Sequence, residues 1–163
     1  MKKLDEDSLN RLISEYGNQI LRLCYLYLQD YYAAEDVTQE TFLRVYEKYD
    51  SLKDRSSEKN WIIKIAINLC KNYLKKHHHN IEQLDNHTEL NVPDTSEIYI
   101  RNHAICDQIK KLSEKYRDVI ILYYYEQMST KEIAQMLKQK ETTILQRLKR
   151  AREKLEPLLK EVF

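Results

Sequence analysis

The sequence predicts an all-α protein made of two small helical domains that are joined by a flexible linker. The 163 residues include one glycine and two prolines, too few for the turns that sheets require. Apolar residues recur at three- and four-residue steps along most of the chain, which is the pattern of helices with one buried face. Residues 77–97 break this period with a polar, acidic stretch, and we therefore expect a linker there.

Each domain is predicted as a set of short helices. The expected helices of the first domain are Leu9–Leu28, Tyr31–Tyr49 and about Asn60–Lys76, with a polar loop at Asp50–Lys59. Asp7 or Ser8 is expected to cap the first helix, and Asp30 the second. The expected helices of the second domain are about Ile98–Leu112, Glu114–Glu126, Thr130–Leu137, and Thr142–Leu155 or beyond.

The composition excludes several classes of protein. One glycine cannot build a phosphate-binding loop, and no apolar run reaches the roughly 18 residues that span a bilayer. No apolar segment follows the N-terminal lysines, so we expect a cytoplasmic protein without membrane insertion. The residues expected to be reduced thiols in the core are Cys24, Cys70 and Cys106.

Neither catalytic nor metal-binding motifs stand out in the sequence. No nucleophile is paired with a base, and the Glu-x-x-His and His-Glu-x-x-His spacings of metal sites do not occur. His77, His78 and His79 are interpreted as a polar helix end rather than a metal site. We therefore expect neither enzymatic activity nor a cofactor nor a bound metal.

The net charge of +1 hides an uneven charge distribution. Residues 59–80 and 108–163 each carry a net charge of +5, whereas residues 1–58 carry −4 and residues 81–107 carry −5. Two basic blocks separated by acidic ones predict two anion-binding surfaces.

The last two helices have the spacing of a helix-turn-helix. Ser129 and Glu132 form the pattern of a capping box, and three residues separate the two helices. The apolar stripe of the second helix is Ile144, Leu148, Ala151 and Leu155. At about 100° per residue, the opposite face carries Thr142, Gln146, Lys149, Arg150 and Glu153, with Arg147 on its flank. Such a face can enter a major groove; the alternative is a solvated face in a bundle.

The third helix has a narrow polar stripe that contains no carboxylate. Its members are Lys64, Asn68, Lys71 and Lys75, and the side predicted to be apolar carries Ile62, Ile65, Leu69 and Tyr73. Beside Trp61, this stripe suits opened or single-stranded DNA, because lysines bind phosphates and an aromatic ring or an amide binds exposed bases. A solvated face is again the alternative.

The second helix has an acidic stripe with one exposed leucine. The stripe consists of Asp36, Gln39, Glu40, Leu43 and Glu47, and the opposite side carries Ala34, Thr38, Val45 and Tyr49. An apolar anchor gives affinity while charges set orientation, so this stripe predicts a docking face for a basic partner helix.

Three segments, in this order and spacing, resemble the extracytoplasmic-function sigma factors, small initiation factors of the sigma-70 family. Residues 34–46, Ala-Glu-Asp-Val-Thr-Gln-Glu-Thr-Phe-Leu-Arg-Val-Tyr, resemble the helix that binds core polymerase. Residues 61–69 with 73–76 resemble the promoter-melting helix, and residues 112–155 resemble the C-terminal promoter-reading domain. The resemblance implies region 2 at residues 1–80, a linker at 81–104 and region 4 at 105–163.

The resemblance also implies partners and roles for the polar faces. Core RNA polymerase would be bound through its β′ coiled coil and β flap, the coiled coil by Asp36, Gln39, Glu40 and Leu43. The minus-ten element would be held by Trp61, Lys64, Asn68, Lys71 and Lys75. The minus-thirty-five element would be read by Thr142, Thr143, Gln146, Arg147, Lys149 and Arg150. An anti-sigma factor is a further expected partner.

The sequence departs from the family pattern at particular positions. Gln127 and Lys138 stand where the family would place glycine, so a positive φ at Lys138 would cost about 1 kcal/mol, or else the turn differs. Leu145 stands where the family commonly has a basic residue near the bases. Two other hypotheses remain at this point: an autonomous helix-turn-helix regulator that never joins polymerase, and a helical adaptor without a DNA function.

Overall fold

The computed structural model describes residues 4–77 and 97–162, with side chains for residues 4–77 and 104–157. These residues are helical apart from short connections and contain no strand, which confirms the all-α prediction. The chain divides into two compact units, Met1–Asn91 and Val92–Phe163, and each is described separately. His78, His79 and residues 81–96 of the expected linker lie outside the described residues.

The described part of the first unit is a bundle of three helices. They are α1 (Glu6–Leu28), α2 (Tyr31–Lys48) and α3 (Glu58–Lys76), and each packs against the other two. Two short 3₁₀ turns, Tyr49–Ser51 and Arg55–Ser57, lie between α2 and α3. Side chains that are almost fully buried at the centre of this bundle include Leu12, Ile20, Leu23, Cys24, Val45, Ile62, Ile63 and Cys70.

Short carboxylate side chains cap α1 and α2. The Ser8 N–H donates to Asp5 Oδ1 at 2.6 Å, so α1 begins at Glu6, and the predicted caps, Asp7 and Ser8, are wrong. Acidic residues in a first turn favour this earlier start, because the helix N-terminus carries partial positive charge. The Ala33 N–H donates to Asp30 Oδ1 at 3.2 Å, which confirms the predicted cap of α2.

The connection between α2 and α3 is more ordered than the predicted loop. α2 ends at Lys48, and α3 begins at Glu58 rather than Asn60. Between them, the Ser56 hydroxyl and N–H donate to the Asp54 carboxylate at 2.7 and 3.0 Å. These hydrogen bonds lower the pKa of Asp54 and hold the second 3₁₀ turn in place.

The buried face of α3 is rotated from its predicted position. Ile62 is buried as expected, but Ile65, Leu69 and Tyr73 are only half-buried. The other buried apolar side chains of α3 are Ile63, Ala66, Ile67 and Cys70. α3 packs against both α1 and α2, so contacts with two neighbours, rather than its own pattern, set its rotation.

Glu58, the first residue of α3, has a buried carboxylate that joins the three helices. It is 7% exposed and accepts hydrogen bonds from Tyr49 Oη at 2.6 Å and Tyr16 Oη at 3.5 Å. Arg11 of α1 lies 3.6 Å away and completes the cluster. The hydrogen bond to Glu58 and burial raise the pKa of Tyr49, and burial raises the pKa of Tyr16 to about 12. The cluster fixes the start of α3 against α1 and the end of α2.

We predict that Glu58→Gln lowers the free energy of unfolding of the first unit by about 2 kcal/mol, because hydrogen bonds to a charged group contribute about 1.5–3 kcal/mol. Trp61, the one tryptophan of the chain, packs against the Tyr49 ring with centroids 6.0 Å apart, so its fluorescence during urea unfolding of the full chain reports this unit. Glu47→Gln makes the same change at an exposed site and should stay within about 0.5 kcal/mol of wild type. Equal unfolding midpoints for the two variants would contradict the role given to Glu58.

The described part of the second unit contains four α-helices. They are α4 (Glu97–Lys111), α5 (Glu114–Ile120), α6 (Thr130–Leu137) and α7 (Glu141–Val162), and α7 packs against the other three. α4 begins inside the range 81–104 that was expected to be linker.

One predicted helix of this unit, Glu114–Glu126, is divided in the structure. α5 ends at Ile120, and residues 121–125 form a π-helical turn. The Glu126 N–H donates to Ile121 O at 3.1 Å and the Met128 N–H to Leu122 O at 3.0 Å. These bonds span five and six residues instead of four, so the backbone widens and leaves the helix at Gln127, where φ is +54°.

The helix-turn-helix of α6 and α7 is present as predicted. Ser129 and Glu132 form the reciprocal capping box, with bonds of 2.8 and 3.1 Å. Lys138 ends α6 in the left-handed conformation, with φ +55° and ψ +47°. The Gln139 N–H donates to Ala134 O at 2.9 Å, which is the 6→1 hydrogen bond that defines a Schellman motif at a helix C-terminus. Lys138 therefore adopts the conformation that normally favours glycine.

We predict that Lys138→Gly raises the free energy of unfolding of the second unit by about 1 kcal/mol, because glycine has no Cβ to clash in the left-handed region. Lys131→Gly, the same replacement inside α6, should lower it by about 1 kcal/mol. Native-state hydrogen exchange of the buried amides of α6 and α7 in the full chain measures both changes. A lower free energy of unfolding in both variants would show that the backbone at Lys138 carries no strain.

The three cysteines are buried and form no disulfide, as predicted. Hydrogen bonding to Cys24 and burial raise the pKa of the Cys70 thiol, and burial raises the pKa of Cys106 to about 11. The Cys70 and Cys106 thiols therefore stay protonated at neutral pH and act as small apolar core residues, and the hydrogen bond from Cys70 lowers the pKa of its partner Cys24.

Candidate nucleic-acid and protein interfaces

The acidic stripe of α2 is exposed to solvent as predicted. Ala34 and Val45 are fully buried against the bundle, whereas Leu43 is 56% exposed on the other side of the helix. The other predicted members are exposed, except for Glu40, which is half-buried: Asp36, Gln39, Glu40 and Glu47. We call this surface, with Leu43, the acidic face.

Tyr32 extends the acidic face toward the start of α2, and the sequence analysis missed it. It is 70% exposed and contacts the Tyr31 ring edge-on, with centroids 6.2 Å apart. At about 100° per residue it lies about 40° from Asp36, so its spacing of four residues from Asp36 was the available signal. Glu40 forms an ion pair with Arg44 at 3.2 Å, and both side chains are partly exposed. Such a pair contributes little to stability, so replacing Arg44 with a cation of a partner would cost little free energy.

The polar stripe of α3 also lies away from the core. Asn68 and Lys75 are exposed, and Lys64 and Lys71 are half-buried. We call these four residues the cationic face. The Glu58 carboxylate is buried beside Tyr49, Tyr16 and Arg11 and is not exposed on this face.

Trp61 lies beside the cationic face in the first turns of α3. Its indole is half-buried and meets the Tyr49 ring at 73°, with centroids 6.0 Å apart. Tyr49 is itself held by the Glu58 carboxylate at 2.6 Å. The indole therefore packs against a ring that is itself fixed, with part of its surface left accessible to solvent.

The polar face of α7 agrees with the predicted helical phase. The four residues of the apolar stripe, Ile144, Leu148, Ala151 and Leu155, are all buried. Four of the predicted DNA-binding residues are exposed and two are half-buried: Thr142, Gln146, Lys149 and Arg150, then Thr143 and Arg147. Leu145 lies among the exposed residues and is itself 51% exposed. We call the exposed residues 142, 145, 146, 149 and 150 the groove face.

Two long-range contacts that the sequence analysis missed hold α7. The Thr130 hydroxyl donates to Glu141 Oε1 at 2.8 Å and so links the first turns of α6 and α7. Arg152 Nε donates to Tyr124 Oη at 2.6 Å, and its guanidinium lies 5.6 Å from the rings of Tyr123 and Tyr124. Neither pair has a local sequence signal, because the partners are eleven or more residues apart.

The structure offers little for a metal centre or a membrane span. Within the described residues, no three His, Cys, Asp or Glu side chains are grouped so that they could hold a metal ion. None of the helices in the same part of the chain is both long and apolar enough to cross a bilayer.

Comparison with known proteins identifies the family of both units. The family model described as Sigma-70 region 2 matches residues 12–79, and the one described as Sigma-70, region 4 matches residues 103–155. The ECF RNA polymerase sigma factor SigW of Bacillus subtilis is 28% identical, covering 99% of this chain and 94% of that protein. The ECF RNA polymerase sigma-E factor of Haemophilus influenzae is 29% identical, covering 95% and 91%.

Solved structures show the same fold. The sigma factor RpoE of Bartonella quintana, in complex with the anti-sigma factor NepR, matches with a TM-score of 0.71 and 21% identity, covering 93% of this chain and 96% of that one. CnrH, in complex with the cytosolic domain of CnrY, matches with a TM-score of 0.69 and 20% identity, covering 96% and 90%.

The chain therefore belongs to the sigma-70 family of RNA polymerase initiation factors. Within that family it is an extracytoplasmic-function (ECF) sigma factor, an alternative sigma factor that binds core RNA polymerase and promoter DNA and directs promoter-specific initiation of transcription. The hypothesis of an autonomous helix-turn-helix regulator is not favoured, because region 2 is present beside the helix-turn-helix.

Proposed function

We propose that the acidic face, the cationic face and the groove face divide the work of initiation among polymerase, the opened minus-ten element and the minus-thirty-five element. One observation carries this proposal. The adjacent helices α2 and α3 expose surfaces of opposite charge. Glu58, the acidic residue at the start of α3, is buried and is not part of the cationic face. A protein that must bind both a basic protein helix and DNA needs these two charges kept apart.

The acidic face suits the β′ coiled coil of core polymerase. Leu43 offers an apolar anchor, Asp36 and Glu40 supply charge on its N-terminal side and Glu47 on its C-terminal side, and Tyr32 adds a second anchor toward the start of α2. Aromatic and apolar anchors at the centre of an interface carry most of its affinity, while surrounding charges steer the approach of the partner. The β flap is the proposed partner of the second unit.

The cationic face and Trp61 suit the non-template strand of an opened minus-ten element. Lys64, Lys71 and Lys75 would contact phosphates, while Asn68 and the Trp61 indole would contact exposed bases. Stacking on an aromatic side chain contributes about 1–3 kcal/mol per base and requires a base that has left the duplex. This face therefore favours the melted state over the closed duplex.

The groove face suits the minus-thirty-five element in duplex form. Gln146 offers a bidentate amide and Arg150 a bidentate guanidinium, the side chains that recognise adenine and guanine edges in the major groove. Thr142 and Lys149 flank them, and the half-buried Thr143 and Arg147 lie toward the edge, where the backbone phosphates run.

We also propose that the protein acts in the cytoplasm, where core polymerase and promoter DNA are found, and that it acts by binding rather than by catalysis. The solved RpoE and CnrH are held in complexes with other proteins, NepR being an anti-sigma factor. An anti-sigma factor that covers the acidic face would keep this protein idle, and co-purification from its host would identify such an inhibitor.

We predict that Asp36→Lys and Glu40→Lys each weaken binding to core polymerase about tenfold, because each replaces attraction to a basic helix with repulsion. Glu35→Lys makes the same charge change about 100° around α2 from Asp36 and should weaken binding less than threefold. Titration of labelled core with each full-length variant, at two salt concentrations, measures the affinities. Equal losses of affinity in all three variants would show that binding depends on the net charge of the protein rather than on the acidic face.

We predict that Lys75→Ala weakens open-complex formation on every promoter and lowers the slope of log affinity against log salt by about 0.7, the value for one phosphate contact on single-stranded DNA. Lys76→Ala removes the neighbouring lysine, which is equally exposed but about 100° away around α3, and should change the slope by less than half as much. Filter binding of holoenzyme to a pre-melted promoter gives the slopes. Indistinguishable slopes for the two variants would exclude the cationic face as the phosphate-binding surface.

A further inference from the structure

The groove face contains an apolar side chain at a position that a DNA-reading helix would normally make polar. Leu145 is 51% exposed on α7, and Thr142, Gln146 and Lys149, its neighbours on that face, are all exposed and polar. Among residues 141–157 of α7, for which side chains are described, the other leucines, Leu148 and Leu155, are buried in the core. Leu145 is therefore placed where it can touch DNA without contributing to the core.

The chemistry of the major groove leaves one apolar group for a leucine to contact. Base edges there present hydrogen-bond donors and acceptors, except for the C5-methyl group of thymine. Leucine cannot satisfy a donor or an acceptor, so placing it against a guanine or cytosine edge would bury an unpaired polar group and lower affinity by about tenfold. Against a thymine methyl, the same side chain gains apolar contact.

We propose that Leu145 reads the methyl group of a thymine in the minus-thirty-five element, an inference that rests on the proposed placement of the groove face in the major groove. Leu145 and Gln146 point about 100° apart around α7, so their tips reach different base pairs, and the thymine lies within about three base pairs of the one that Gln146 contacts. The glutamine amide specifies adenine there, and the leucine adds specificity for thymine.

Replacing single thymines by deoxyuridine tests the proposal, because deoxyuridine pairs identically and lacks only the methyl group. Holoenzyme made from the full chain and core polymerase of its host first selects a minus-thirty-five element from a randomised promoter library. Each thymine of the selected element is then replaced in turn. We expect wild-type holoenzyme to lose about fourfold in affinity at one position, the effect of about one buried methyl group.

Protein variants assign that loss to a side chain. Leu145→Ala should bind the thymine promoter at least about fourfold more weakly and lose nothing further with deoxyuridine. Gln146→Ala, the matched control on the adjacent position, should bind more weakly but keep the fourfold methyl effect. Because Leu145 is exposed, its variant should retain the melting temperature of wild type, which circular dichroism checks.

The possible outcomes separate this inference from the proposed function. Run-off transcription from the selected promoter shows whether the protein initiates at all. Initiation without a methyl effect at any thymine, an equal methyl effect in Leu145→Ala, or a selected element that lacks thymine would overturn the role of Leu145 alone. Failure to initiate from any promoter would overturn the proposed function, and this inference with it.

Discussion

The buried carboxylate of Glu58 is the constraint on which the first unit depends. An isolated buried charge is strongly destabilising, so Glu58 is tolerated only while Tyr49, Tyr16 and Arg11 surround it. These partners come from α1 and from the turn after α2, so satisfying one carboxylate fixes three segments together. The position of Glu58 in the first turn of α3 adds a favourable interaction with the helix dipole.

That constraint connects the fold of the first unit to its surfaces. By anchoring the first turn of α3, the Glu58 cluster acts together with packing against α1 and α2 to set the rotation of the helix, and so which residues form the cationic face. It also holds Tyr49, on which the Trp61 indole packs. A residue buried in the bundle therefore orients both the lysines that we propose to bind phosphates and the indole that we propose to stack on bases.

The helices were predictable because their signal is local, whereas their exact limits and rotations were not. Apolar spacing located every described helix, and the capping box of α6 was predicted residue by residue. The start of α1 depended on which of several neighbouring polar residues would cap it, and Asp5 does so. The rotation of α3 and the π-helical turn after α5 depend on tertiary packing, which outweighs intrinsic periodicity.

The candidate surfaces were predictable for a related reason, since each is the face opposite a buried stripe. The exposure of Asp36, Gln39, Lys75 and Gln146 follows from the burial of the residues across the helix. Residues that act through distant partners escaped prediction, because a contact such as that between Arg152 and Tyr124 depends on the folded chain. Tyr32 is different, because its spacing from Asp36 was visible and only its exposure was not anticipated.

In the helix-turn-helix, residues other than glycine occupy both positions with positive φ. Gln127 and Lys138 both have positive φ, and they lie on either side of α6. Such conformations persist when surrounding contacts over-determine them. The capping box fixes the start of α6, the Schellman bond fixes its end, and the Thr130–Glu141 hydrogen bond ties it to α7. The backbone that presents the groove face is thus held by contacts rather than by glycine.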